Sequence, residues 1–167
     1  EEHVASQLVS PTCVLVETFD FVEVMCGPRA PLLQAMARQG LRCGPVIDLA
    51  VFGMWDVREP RILEWLEFMI LHDRIWYVHA APYCRTQSVA FQPRVRSRET
   101  PLGFDPAALD TFDGTIGLLR GLVILHLSLR HSRRHASLEQ PRSAYSWSYP
   151  QIPRLLAGGA RLIPYGV

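Results

Sequence analysis

Glu59-Pro-Arg-Ile-Leu-Glu-Trp-Leu-Glu-Phe-Met-Ile-Leu71, followed by Ile75-Trp-Tyr-Val-His-Ala80, is the stretch of sequence that decides the fold. Ile62, Leu63, Leu66, Met69 and Ile70 recur at the spacing of one helix face, and Pro60 suits a first-turn position. His72-Asp73 ends that pattern. Ile75 to Ala80 is then a short apolar run, rich in β-branched and aromatic residues and closed by Pro82, as expected of a buried strand. A helix feeding straight into a buried strand is half of a crossover between parallel strands.

Toward the N-terminus the same alternation continues. Pro45-Val-Ile-Asp-Leu49 predicts a short buried strand, and Val51 to Val57 a further one ending near Asp56. Leu32, Leu33, Met36 and Ala37 share a helix face that stops at Gln39-Gly40, where a glycine C-cap belongs. Phe21 to Met25 is a β-rich run ending at Cys26-Gly27-Pro28, and Val14 to Val16 is another. Toward the C-terminus, residues 83–106 form a long polar stretch carrying Arg85, Arg94, Arg96 and Arg98, and a loop of that length is usually functional or mobile. A helix is expected from Pro106 or Asp110 to Arg130, with a break near Gly114 or Gly117, and His135 to Leu138 reads as a fifth strand. The pattern predicts an α/β fold, an open and mostly parallel sheet with flanking helices. Residues 1–19 are a lead-in, 20–150 the α/β domain, and 151–167 an irregular tail rich in Pro and Gly.

Composition narrows the classes. With 167 residues, 49% hydrophobic and a net charge of +1, the chain has enough apolar content for one full core and is not disordered as a whole. All 17 basic residues are Arg, and neither Lys nor Asn occurs. A GC-rich gene explains this, as does selection for bidentate recognition of phosphate or carboxylate. Thr115 to Leu129, interrupted by Arg120 and His126, falls short of the ~20 residues of a membrane span, so no transmembrane segment is expected. The start at Glu1-Glu2-His3 implies a processed product or part of a longer chain. Cys13, Cys26, Cys43 and Cys84 lack Cys-x-x-Cys spacing and read as mostly reduced thiols, not a disulfide framework, which leaves the compartment open, whether intracellular, nuclear or organellar. His131 and His135 have metal-ligand spacing without an accompanying carboxylate, so they read as a basic helix end and no metal is expected.

In open parallel sheets ligands bind at the carboxyl ends of the strands, where Gly27, Asp48, Asp56, Cys84 and Glu139 stand. Gly27 is either a turn glycine or a point where backbone N–H groups approach a cofactor. Asp48 either caps the next segment or accepts both hydroxyls of a ribose. Asp56 either binds an adenine amino group or caps the helix near Glu59. The further glycines of a dinucleotide fingerprint are missing, which argues against NAD. Cys84 is an inert thiol or a nucleophile, and Glu139 a carboxyl able to serve as an acid across the same cleft. Tyr145, Trp147 and Tyr149 suit a core edge, a protein interface or a base-stacking surface.

Phe21-Val-Glu-Val-Met-Cys-Gly27, Ala81-Pro-Tyr-Cys84 and Ser137-Leu-Glu-Gln-Pro-Arg-Ser143, taken in order, resemble motifs of the cytosine-C5 DNA methyltransferases. The trailing Ser-x-Tyr-x-Trp at Ser143 to Trp147 and the stretch Arg96-Ser-Arg-Glu-Thr-Pro-Leu-Gly103 are similar to short methyltransferase-like proteins of GC-rich protist genomes. The resemblance implies an incomplete class I, Rossmann-like methyltransferase fold binding S-adenosylmethionine through Gly27, Asp48 and Asp56. It implies that Cys84 attacks C6 of a flipped cytosine while Glu139 holds and protonates its N3 side. Arg85, Arg94, Arg96 and Arg98 are then placed on the loop that contacts nucleic-acid phosphates. The first motif lacks its second glycine, Tyr83 replaces Pro, Gln140 replaces Asn, and the chain ends soon after the fifth strand. Those departures imply the alternative, a catalytically inactive structural subunit of a larger assembly, organellar or otherwise, whose partners are protein subunits and not nucleic acid.

Overall fold

A computed structural model describes residues 17–51, 53, 55–105, 108–131, 134–161 and 163. Its elements are β1 (Phe19–Val24), α1 (Pro31–Arg38), α2 (Pro60–Leu71), β2 (Ile75–Ala80), α3 (Leu109–Leu129), β3 (His135–Leu138) and α4 (Gln151–Ala157). The three strands form one parallel sheet in the order β1-β2-β3, with Val22 opposite Val78 and Ala80 opposite Leu138. Along the other edge of β1, Cys43 and Ile47 make isolated parallel bridges to Phe21 and Val24. The chain therefore leaves β1 toward one side through α1, then returns through α2 to the opposite side at β2. The carboxyl ends of β1 and β2 form the topological switch point, the usual ligand crevice of open α/β sheets.

Burial explains why these segments take these forms. Val22, Val24 and Val78 share one sheet face and meet Leu66, Met69 and Ile70 of α2 and Ile124 and Leu127 of α3. A second cluster joins Leu118 and Leu122 of α3 to Ile152 and Leu155 of α4. Thr111–Leu129 is long and apolar enough to cross a membrane on composition alone, which the expectation from its interruptions did not allow. Half of it is buried, and it packs on β3 and α2 in the manner of a core helix.

Several expectations are corrected. Pro45–Leu49 is not a full strand, because its pairing is confined to single bridges and Pro45 brings no ladder donor. Where Val51–Val57 is described it forms turns. Asp48 accepts the Ala50 N–H at 2.8 Å and Asp56 that of Arg58 at 2.9 Å, local bonds that compete with a ladder. Helix α3 runs unbroken through Gly114 and Gly117. Residues 151–157, expected to be irregular, are helical, since Ile152 and Leu155 at i, i+3 bury one face and Pro153 sits in the first turn, where no amide partner is lost. His135 lies on β3, so His131 and His135 do not share a helix face. Val14 to Val16 and Cys13 lie outside the described residues.

Candidate functional site

At the end of β1 the chain turns through Gly27, whose φ of 74° favours glycine. Its N–H donates to the Asp48 carboxylate at 2.8 Å, tying the first strand end to the second. The N-terminus of α1 has no side-chain cap of its own, and Glu23 takes that role: its buried carboxylate accepts the Leu33 N–H at 2.6 Å. Burial raises the Glu23 pKa, while the amides of Leu33 and Leu32 pull the other way. Burial also pushes the Cys26 thiol up to about 12, with the charges of Glu23 and Asp48 adding to it, so Cys26 is no thiolate.

Gly27, Asp48 and Asp56 line one cavity of about 400 Å³, together with Ile47, Leu49, Val57, Ile116 and Tyr83. Arg58 and Asp113 belong to the same wall. Arg58 pairs with Asp56 at 2.7 Å and reaches across to Asp113 of α3 at 2.8 Å. Burial opposes ionisation of Asp56, but the hydrogen bonds from Arg58 outweigh it and hold the carboxyl below its usual range. Asp56 does not cap α2 through its side chain, because that carboxylate closes a turn onto Arg58.

Cys84 follows β2 beside that wall. Its carbonyl accepts the amides of Gln87 and Ser88, forming the turn that carries Arg85–Gln87. Glu139 enters from β3, its N–H bonded to the Ala80 carbonyl at 2.9 Å. Gln140 clamps the two segments together: its amide donates to the Pro82 carbonyl at 2.9 Å, and its oxygen accepts from Ser146 at 3.3 Å. Cys84 and Glu139 are thereby brought into one neighbourhood. Burial raises the Cys84 pKa, and the Glu139 charge raises it further. Tyr145 is buried and Trp147 packs on the α3–α4 cluster, with its indole N–H donating to the Pro141 carbonyl, so these rings form a core edge.

The arginines of the 83–106 segment do not act together. Arg85, Arg94 and Arg98 are exposed, and Arg85 lies over the Phe91 ring. Arg96 is fully buried, contrary to its expected place on a phosphate-contacting surface. Its guanidinium donates to Thr86 Oγ1, the Pro101 carbonyl, Thr115 Oγ1 and the Thr111 carbonyl. Burial lowers its pKa to about 10. In an extended segment residues two apart share a face, so the exposure of Arg94 and Arg98 on either side of buried Arg96 shows that the chain bends around Arg96. Gly114 makes the close approach possible, because a Cβ there would stand 3.0 Å from Thr86 Oγ1, 3.1 Å from Arg96 Nη2 and 3.1 Å from the Tyr83 carbonyl.

Arg58 and Asp113 were not anticipated as parts of the site. Arg58 stands two residues after Asp56, a spacing that suits an Asx turn, whereas nothing local marks Asp113, which α3 brings in from 55 residues away. Among the described residues no group of three metal-ligating side chains occurs. Fold and site together define an α/β domain with a three-stranded open parallel sheet, part of a Rossmann-like arrangement, and a cavity at its switch point. Compared with known proteins, the chain matches no family model, no curated protein and no solved structure.

Proposed function

We propose that this is a class I methyltransferase-like domain of the cytosine-C5 type, moving a methyl group from S-adenosylmethionine to nucleic acid. The observation that carries the reading is the convergence of Gly27, Asp48 and Asp56 on one cavity whose wall includes Tyr83, the neighbour of Cys84. The residues suit a nucleoside with a cationic centre. Three carboxylates (Asp48, Asp56 and Asp113) face one guanidinium there, which favours a sulfonium over a pyrophosphate. The helix N-terminus that would hold a pyrophosphate already receives Glu23. A Cβ on Gly27 would meet nothing within 4 Å, so the backbone there stands open to a ligand. Each Asp48 oxygen takes one backbone N–H and keeps a lone pair for a ribose hydroxyl.

When bound, S-adenosylmethionine supplies an electrophilic methyl group. Cys84 supplies a thiol for addition to an electron-poor ring carbon, and Glu139 a carboxyl to hold the ring nitrogen. In the free protein the negative Glu139 opposes the Cys84 thiolate. A proton taken up from solvent and shared between Glu139 and a ring nitrogen would remove that opposition, so engagement of the base would ease loss of the Cys84 proton to solvent. Arg85, Arg94 and Arg98 supply exposed charge for phosphates. Calorimetric titration of the folded chain with S-adenosylmethionine tests the reading: binding at one site, lost in Asp48→Ala, is expected, and no detectable binding sinks it.

The raised Cys84 pKa and the withdrawal of Arg96 into the interior favour a second reading, the inactive structural subunit. It predicts migration with a large assembly on native fractionation of fresh extract, and a purely monomeric profile counts against it.

A further inference from the structure

Among the described residues Arg58 is the one guanidinium on the cavity wall, and its geometry is more specific than charge balance requires. Its Nε lies 3.0 and 2.8 Å from the two Asp56 oxygens, and its Nη2 lies 2.7 Å from one of them. Nη1 reaches Asp113 at 2.8 Å. A guanidinium has five N–H donors, so one remains on each Nη atom. Asp56 accepts from the Arg58 side chain and from its backbone N–H, which leaves part of its acceptor capacity free. An acceptor and a donor are thus fixed side by side on one wall, with the apolar side chains of Ile47, Leu49, Val57 and Ile116 around them. Asp113 holds the guanidinium from the far side, so little freedom is lost when a ligand engages it.

An adjacent acceptor and donor complement a planar ring that presents an amino group beside a bare ring nitrogen. We infer that Arg58 reads the adenine of the bound nucleoside, donating an Nη–H to its N1 while Asp56 accepts from the 6-amino group. The inference rests on the cofactor reading above and adds a specificity-determining residue to it. Asp113 acts through Arg58 as a positioning residue.

The test is a cycle that edits ligand and protein separately. S-adenosylhomocysteine and its 1-deaza analogue, in which N1 is replaced by C–H, are titrated calorimetrically into the intact chain, into Arg58→Met and into Asp113→Asn. In the unaltered protein the 1-deaza analogue is expected to bind about tenfold or more weakly, the loss of one charge-assisted hydrogen bond. In Arg58→Met the two ligands are expected to bind equally, and in Asp113→Asn the ratio falls between. The same ratio in the intact chain and in Arg58→Met overturns the role of Arg58 while leaving the cofactor reading intact. Absence of any binding by S-adenosylhomocysteine overturns both. If Arg58→Met does not fold, comparison with the 7-deaza analogue on the unaltered protein decides the matter: a 1-deaza loss no larger than the 7-deaza loss removes the N1 contact.

Discussion

Segments 48–58 and 83–96 meet at the same end of the sheet, yet they are fixed in opposite ways. Segment 83–96 is docked: Arg96 is fully buried among hydroxyl and carbonyl acceptors, Gln140 clamps Pro82, and Gly114 lets the backbone touch α3. Where it is described, segment 48–58 is a series of turns held by Asp48 and by the Asp56–Arg58–Asp113 chain, in which the Arg58 and Asp113 side chains are 33% and 46% exposed. The bonds of a buried guanidinium to neutral acceptors offer no counter-charge for salt to screen or acid to protonate, while half-solvated ion pairs respond to both. The side carrying Cys84 is therefore preset, and the side lining the cavity is adjustable.

The contrast breaks first at Arg96. Arg96→Met leaves the acceptors of Thr86, Thr111, Thr115 and Pro101 unpaired in the interior, and a loss of about 3–5 kcal/mol in urea unfolding, or failure to fold, is expected. A loss below 1 kcal/mol would show that the segment is not docked. Gly114→Ala comes next, at about 1–3 kcal/mol, because the Tyr83 carbonyl in its path is backbone and cannot rotate away. Gly121→Ala meets the side-chain end of Leu138 at 2.6 Å, with Pro82 and Ala80 in ordinary contact at 3.5 and 3.7 Å. It is expected to cost less than Gly114→Ala because a side-chain end can shift where a backbone carbonyl cannot.

On the other side the effects are smaller and depend on conditions. Asp56 has a folded pKa below its ordinary value near 3.8. A depressed carboxyl contributes stability that is present above the ordinary value and is lost as pH falls through the folded one. Acid titration of unfolding should show that loss in the unaltered chain and less of it in Arg58→Met; equal slopes would detach Asp56 from Arg58. Asp113→Asn is expected to cost under about 1 kcal/mol, less still in high salt, since the pair is largely solvated. Gly53→Ala should be neutral or stabilising by a few tenths of a kcal/mol, because a Cβ there meets nothing within 4 Å and its φ is ordinary. A loss matching that of Gly114→Ala would erase the distinction between the segments.

The same contrast explains what the sequence made legible. Helix α2 and strand β2 carry their burial in their own periodicity, so Leu66, Met69, Ile70 and Val78 are readable without a partner. Gly27 and Asp48 are readable as neighbours because both follow segments that pair in parallel at one end of the sheet, whereas Asp56 reaches the same cavity from turns. The inward turn of Arg96 was not readable, since its acceptors at Thr111 and Thr115 arrive from α3 and leave no local pattern. Nor was α4, whose two buried residues are too few for a periodicity and whose prolines suggest a loop. The strand expected at Val51–Val57 failed because Asp48 and Asp56 spend their carboxylates on neighbouring amides.

The central claim is that Cys84 and Glu139 form one methyl-transfer site with the cavity beside them. Covalent trapping tests it most directly: the chain is incubated with S-adenosylmethionine and an oligonucleotide containing 5-fluorocytosine, then run on a denaturing gel. A stable protein–oligonucleotide adduct that disappears in Cys84→Ser is the expected result. No adduct from a folded chain that binds S-adenosylmethionine, or an adduct that persists in Cys84→Ser, contradicts the claim.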